Sequence, residues 1–175
     1  MNICGAEKIK NGEVLRVPTD TVYGYVCDAG NKLSIEKIYD LKKRDKKKPL
    51  GIFVHDIDDF YKIVDGGEGA LSDDIKEMLK KYWPGALTVI CKKRKDVLPF
   101  FNDGLDTIGV RVPKDDRLLN LMKESGCFLA QTSANISGES DISSSEIDGK
   151  DTKASTIIDI TSGNIEIVRQ GDIVL

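Results

Sequence analysis

The sequence predicts an α/β or α+β domain built on a mixed sheet, and three observations carry that prediction. Short apolar runs alternate with helix-period segments along the chain, and many of the runs are continuously apolar, as strands covered on both faces are. No repeat and no domain boundary divides the chain. With 175 residues, 40% hydrophobic and 31% charged, it can bury a real core and is expected to form one domain over residues 1–175.

The elements follow in order. Glu13 to Val17 reads as a strand, Pro18 to Thr21 as a turn, and Val22 to Cys27 as a second extended run. Ser34 to Lys43 is predicted helical, with Ser34 as N-cap and Ile35, Ile38, Leu41 and Lys42 near one face. Leu50 to Val54 is a strand; Asp56 to Val64 and Ser72 to Tyr82 are helices, the second capped by Ser72, with Ile75, Met78, Leu79 and Tyr82 inward. Trp83-Pro84-Gly85 stops that helix. Leu87 to Cys91 and Thr107 to Val112 are strands separated by a loop over Lys92 to Gly104. Asp116 to Ser125 is helical and Cys127 to Gln131 a short buried strand. From Ser133 to Asp151, Ser, Asp and Gly dominate, predicting a long loop; Thr156 to Ile160 and Ile165 to Val168 resume the strand pattern, with Asp172 to Leu175 a candidate extension.

Composition limits the chemistry. No apolar run approaches a membrane span, and Met1 to Lys10 lacks the apolar core of a signal peptide, so a cytoplasmic protein without membrane contact is expected. The four cysteines have no C-x-x-C spacing and three sit in apolar, strand-like surroundings, which predicts buried reduced thiols. His55 is the only histidine, which argues against a His-rich metal centre or a His-based triad.

The segment Leu41 to Pro49 stands apart. Lys42, Lys43, Arg44, Lys46, Lys47 and Lys48 crowd together in a chain of net charge -3. Such a run is either a solvated helix end, favoured by the helix dipole, or a site for an anion that offsets its self-repulsion. Pro18 to Thr21 offers two hydroxyls and a carboxylate directly after a strand, as a plain turn or as ligand groups. Thr132 to Gly138, TSANISG, supplies hydroxyls, an amide and small residues after another strand, and reads equally as a cap or a binding loop. Arg111 interrupts an apolar strand and needs an anion or an edge position, because a buried unpaired charge costs several kcal/mol. Arg169 raises the same question at a strand end.

Seven motifs now stand in order: PTDTVYG at Pro18 to Gly24, LKKR at Leu41 to Arg44 followed by Pro49-Leu50, WPGALT at Trp83 to Thr88, GVRVP at Gly109 to Pro113, TSANISG at Thr132 to Gly138, STIID at Ser155 to Asp159, and VRQGD at Val168 to Asp172. Over nearly its whole length the chain resembles the Sua5/YciO/YrdC family. It departs where the family usually has K-G-R-P: Lys42-Lys43-Arg44-Asp45 keeps the Lys-x-Arg pair and loses the glycine and proline. Because many relatives continue past the equivalent of VRQGD, the short, single-domain form is expected.

The resemblance implies a YrdC-like fold, an open twisted mixed sheet with helices packed on it around a concave basic groove. It implies L-threonylcarbamoyladenylate synthase activity: a nucleotidyltransferase that joins L-threonine, bicarbonate and ATP and releases pyrophosphate, for the t6A37 modification of tRNA. Carried over residue by residue, Lys42, Arg44, Ser133 and Asn135 resemble the family's catalytic tetrad on the ATP phosphates. Thr107, Ser155 and Arg169 look like further ATP contacts. Thr21, His55 and Arg111 look like the threonine site, with Arg111 the partner of the carboxylate. Magnesium (Mg2+) is expected with ATP, held mostly by phosphates and water, and no metal ligand is assigned to the protein. Lys46, Lys47 and Lys48 match no motif position and are left as solvated charge that steers ATP. Transfer RNA or tRNA-modifying proteins are expected partners, and the loop from Ser137 to Asp151 is expected to order over the ligands. Two alternatives stay open: an RNA-binding module without synthase activity, and a family relative acting on a different acyl or carbamoyl substrate.

Overall fold

The computed structural model describes residues 3–103, 105–134 and 153–175, with side chains from Gly5 onward. Asn135 and the segment 137–151 lie outside the described residues.

Among the described residues, eight strands form one mixed sheet: β1 (Leu15–Val17), β2 (Gly24–Asp28), β3 (Gly51–Phe53), β4 (Leu87–Lys92), β5 (Thr107–Arg111), β6 (Leu129–Ser133), β7 (Thr156–Asp159) and β8 (Glu166–Arg169), in the order β1-β2-β6-β3-β5-β4-β7-β8. The pairs β3–β5 and β4–β7 are parallel and the other five antiparallel. The helices are α1 (Ile3–Lys10), α2 (Lys32–Lys42), α3 (Ile57–Ile63), α4 (Asp73–Tyr82) and α5 (Asp116–Ser125).

Strand alternation sorts the side chains onto two faces. On one face Cys27, Ile52, Val89, Val110, Ala130 and Ile158 join Ile35, Ile38, Phe60, Ile63, Ile75 and Leu79 of α2, α3 and α4 in the main core. On the other, Val26, Phe53 and Leu129 meet Ala6 and Ile9 of α1 and Leu118, Leu121 and Met122 of α5 in a smaller core. That second core takes no residue from β4, β5 or β7. Among the described residues, the second face of those three strands therefore has no helical cover, and the site lies there.

Local chemistry explains where boundaries fall. Helix α2 starts earlier than predicted: Asn31 is its N-cap, its side chain accepting from the Ser34 amide at 3.2 Å, and Ser34 sits buried in the first turn. Its inward face is Ile35, Ile38, Tyr39 and Lys42, while Leu41 is 55% exposed. Six residues beyond Ile35, Leu41 stands about 240° around the helix and off that stripe. Helix α1 has no counterpart in the sequence reading, because eight residues with only Ala6 and Ile9 turned inward give too little periodicity. Asp172 to Leu175 is not a strand: Asp172 N–H donates to the Ala154 carbonyl at 3.0 Å and Thr156 Oγ1 donates to the Ile173 carbonyl at 2.5 Å, so this tail folds over the start of β7. Strand β6 begins and ends two residues later than predicted, which makes Thr132 and Ser133 strand residues.

Candidate functional site

The uncovered face of β4, β5 and β7 floors a cleft of about 610 Å3. Alternation delivers its lining: Thr107, Gly109 and Arg111 from β5, Thr88 from β4, Ile157 from β7, Gly51 from β3, and Gln131 and Ser133 from β6. Thr21, Arg44, Ser155 and Arg169 complete the walls. Seven of the residues singled out from sequence thus meet in one place: Thr21, Arg44, Thr107, Arg111, Ser133, Ser155 and Arg169.

Arg44 reaches the cleft because α2 ends abruptly. Lys43 caps it in the left-handed conformation, at φ 47°, with its N–H on the Asp40 carbonyl and the Arg44 N–H on the Tyr39 carbonyl. The Arg44 guanidinium then donates from Nε to the Lys48 carbonyl at 3.2 Å and from Nη2 to the Pro49 carbonyl at 2.9 Å. Lys42, the last residue of α2, is 1% exposed and donates from Nζ to Thr132 Oγ1 at 3.2 Å, to Ser133 Oγ at 3.4 Å and to the Ser133 carbonyl. A buried ammonium requires such oxygens. Lys46, Lys47 and Lys48 are exposed, in a turn closed by Lys48 N–H to the Asp45 carbonyl and by Lys47 N–H to Asp45 Oδ1.

Arg111 finds the partner its burial demands. It is 3% exposed and donates from Nε to the Gly85 carbonyl at 2.9 Å, from Nη1 to Thr21 Oγ1 at 2.8 Å and from Nη2 to Asp20 Oδ1 at 2.5 Å. Its guanidinium carbon lies 5.6 Å from the centre of the Phe53 ring. The loop that brings Thr21 across is held by Thr19, whose hydroxyl donates to the Val22 carbonyl and accepts from the Thr21 N–H. Thr19 thus behaves as a turn residue while Asp20 and Thr21 face Arg111.

Arg169 donates from Nε and Nη2 to the Ser155 carbonyl, at 3.2 and 2.7 Å, and Ser155 Oγ bonds Thr88 Oγ1 at 2.9 Å. Burial, and then the like charge of Arg111, hold the Arg169 guanidinium below its ordinary pKa. Among the described residues the cleft lining includes three arginines and no carboxylate, and no group of His, Cys, Asp or Glu is arranged to hold a metal.

His55 lies elsewhere. It lines a separate hollow with Met122, Cys127 and Phe128, its Nδ1 3.3 Å from Asp56 Oδ2. Sequence reasoning passed over Thr88 and Gln131. Thr88 and Gln131 were legible as the positions alternating with core residues in their strands; the carboxylate of Asp20, noted in the loop Pro18 to Thr21 without a partner, meets the buried Arg111.

Comparison with known proteins gives a consistent picture. The Sua5_yciO_yrdC family model, described as telomere recombination, matches residues 7–171. A threonylcarbamoyl-AMP synthase of Bacillus subtilis is 36% identical over 135 residues, covering 77% of this chain and 38% of that protein. A putative threonylcarbamoyl-AMP synthase of Methanocaldococcus jannaschii is 34% identical over 181 residues, 94% of this chain and 83% of that one. The crystal structure of P. abyssi Sua5 complexed with L-threonine superposes with a TM-score of 0.83 at 29% identity, covering 97% of this chain and 53% of that chain. The chain therefore spans only part of the length of several relatives it resembles.

Proposed function

Because the chain belongs to the Sua5/YciO/YrdC family, we propose that its cleft makes L-threonylcarbamoyladenylate from L-threonine, bicarbonate and ATP, a nucleotidyl transfer that releases pyrophosphate and feeds t6A37 modification of tRNA. The observation that carries this reading is the lining itself: Arg44, Arg111 and Arg169 with the hydroxyls of Thr107, Ser133 and Ser155, and no carboxylate among the described residues. Such a surface suits a ligand that brings several negative charges, as ATP and an amino-acid carboxylate together do.

The chemistry asks little of protein nucleophiles. Bicarbonate takes up one proton and yields carbon dioxide and water; the threonine nitrogen, as the free amine, bonds the carbon and gives up one proton, leaving a carbamate. A carbamate oxygen then bonds the α-phosphorus while its bond to the bridging oxygen breaks, and pyrophosphate leaves. Alignment and charge neutralisation are the catalytic needs. In this reading Lys42, Arg44, Ser133 and Asn135 hold phosphates and the attacking group, Ser155, Thr107 and Arg169 hold the nucleotide, and Arg111 with Thr21 holds the amino acid. His55 is proposed only as a residue beside that end of the sheet, since it lines the other hollow. Magnesium enters as part of the ATP substrate: the cleft offers hydroxyls and cations, which fits a metal carried by phosphates and water.

Amino-acid ranking tests the reading. Losing the methyl group, as in serine, should cost about 1 to 3 kcal/mol, and losing the hydroxyl, as in valine, more, because a polar group in the site is then unpaired. Bicarbonate-dependent pyrophosphate release should fall in the order threonine, serine, valine. Release that ignores the amino acid would favour a relative with another acyl or carbamoyl substrate.

A further inference from the structure

Arg111 is held by three protein acceptors, and one of them is a carboxylate that itself has a second anchor. Asp20 Oδ1 accepts from Arg111 Nη2 at 2.5 Å, and Asp20 Oδ2 accepts from the Lys114 backbone N–H at 2.9 Å. Lys114 follows β5 by three residues, so the carboxylate ties the loop 18–23 to the end of the strand that carries Arg111. The Asp20 side chain is 12% exposed and does not line the cleft, whereas Thr21 and Arg111 do. A guanidinium has five N–H groups. Gly85, Thr21 and Asp20 take one each, and two remain.

We infer that Asp20 is a positioning residue: it locks the Arg111 guanidinium so that its remaining N–H groups are presented to the ligand at a fixed angle. Without it, Nε on Gly85 and Nη1 on Thr21 are the hydrogen bonds left to the guanidinium among the described residues, and the loop loses its tie to Lys114. Pre-organisation of this kind acts on affinity for whatever Arg111 binds and leaves distant subsites alone. The consequence for threonine rests on the function proposed above; the lock itself does not.

Asp20→Asn tests it, because an amide keeps the shape but replaces one acceptor oxygen with a donor. Whichever way it turns, its NH2 group meets either Arg111 Nη2 or the Lys114 N–H. The first readout needs no substrate: in 15N-labelled protein, the Arg111 Nε–H signal should exchange slowly in the wild type and much faster in the variant. The second is calorimetric affinity. Threonine binding should weaken about 10- to 100-fold, the range seen when a supporting partner is lost at metal sites, with ATP affinity within about twofold of wild type. Equal loss of both affinities together with a lower melting temperature would overturn the inference in favour of a merely structural role, and so would unchanged exchange of the Arg111 Nε–H. If wild type binds no threonine, the functional reading fails and the exchange measurement still decides the lock. Should Asp20→Asn not fold, Asp20→Glu takes its place: it keeps both oxygens one methylene further out, and unchanged threonine affinity there would sink the idea.

Discussion

Within the basic run Arg44 is the residue that lines the cleft, and Lys42 is buried behind it. Arg44 is steadied by two carbonyls and Lys42 is held against Thr132 and Ser133, while Lys46, Lys47 and Lys48 are exposed. Arg44→Ala should therefore reduce kcat and weaken ATP binding by about 2 to 4 kcal/mol in total, with little rescue by lysine, while Lys47→Ala leaves both nearly unchanged. Equal losses in steady-state kinetics would mean that the run acts as diffuse charge. The cysteines supply a second test. Burial pushes the Cys27 and Cys91 thiols up to about 12, with Asp28 and Asp159 adding to the shift. Both should stay unlabelled by a thiol reagent at pH 8 in native protein, as peptide mapping can show. Above pH 9 the unfolded chain releases these protons and the folded chain does not, so the two thiols contribute a loss of stability between about pH 9 and 12 and none below it. At this scale the sequence was informative wherever a residue broke its surroundings. Arg111 in an apolar strand demanded a partner, and a cysteine in an apolar strand implied an inert thiol; Gln131 and Thr88, unremarkable in composition, were visible only through strand phase.

Helix ends and strand starts decide how these groups are presented. Lys43 holds a left-handed conformation that costs a residue with a Cβ about 1 kcal/mol or more, at the position where the family resemblance expects glycine. Lys43→Gly should stabilise the fold by about 1 kcal/mol and raise Tm by about 2 to 4 °C in thermal unfolding. Gly171 is tighter still: a Cβ there would lie 2.2 Å from the Ala154 carbonyl oxygen and 2.5 Å from the Ser155 backbone. Gly171→Ala must push the tail off the start of β7, with an expected cost of about 1 to 3 kcal/mol and weaker ATP binding through Ser155. Denaturant unfolding and nucleotide titration measure the two effects. Most elements were legible in outline from capping residues and apolar runs. The two-residue displacement of β6 was not, because its pairing with β2 and β3, rather than its own composition, sets where it ends.

At the scale of the whole molecule, the site forms where the helices among the described residues leave part of a sheet face uncovered. Helices α2, α3 and α4 close one side; α1 and α5 close only the β1, β2, β3 and β6 part of the other. A mixed sheet was legible from the chain's alternation of runs, but the order β1-β2-β6-β3-β5-β4-β7-β8 was not, since pairing partners far apart in sequence leave no local signal. That order puts Arg111 of β5 and Ser133 of β6 on either side of β3 and brings Ser155 to the neighbouring β4. The cleft is proposed to join a carbamate to adenylate, and one measurement tests this directly: mass spectrometry of the nucleotide product formed from 13C-bicarbonate, ATP and L-threonine. The account predicts an adenylate that carries both the threonine and the labelled carbon, formed in step with pyrophosphate. Pyrophosphate release with unlabelled AMP as the sole nucleotide product, even in rapidly quenched samples, would contradict it.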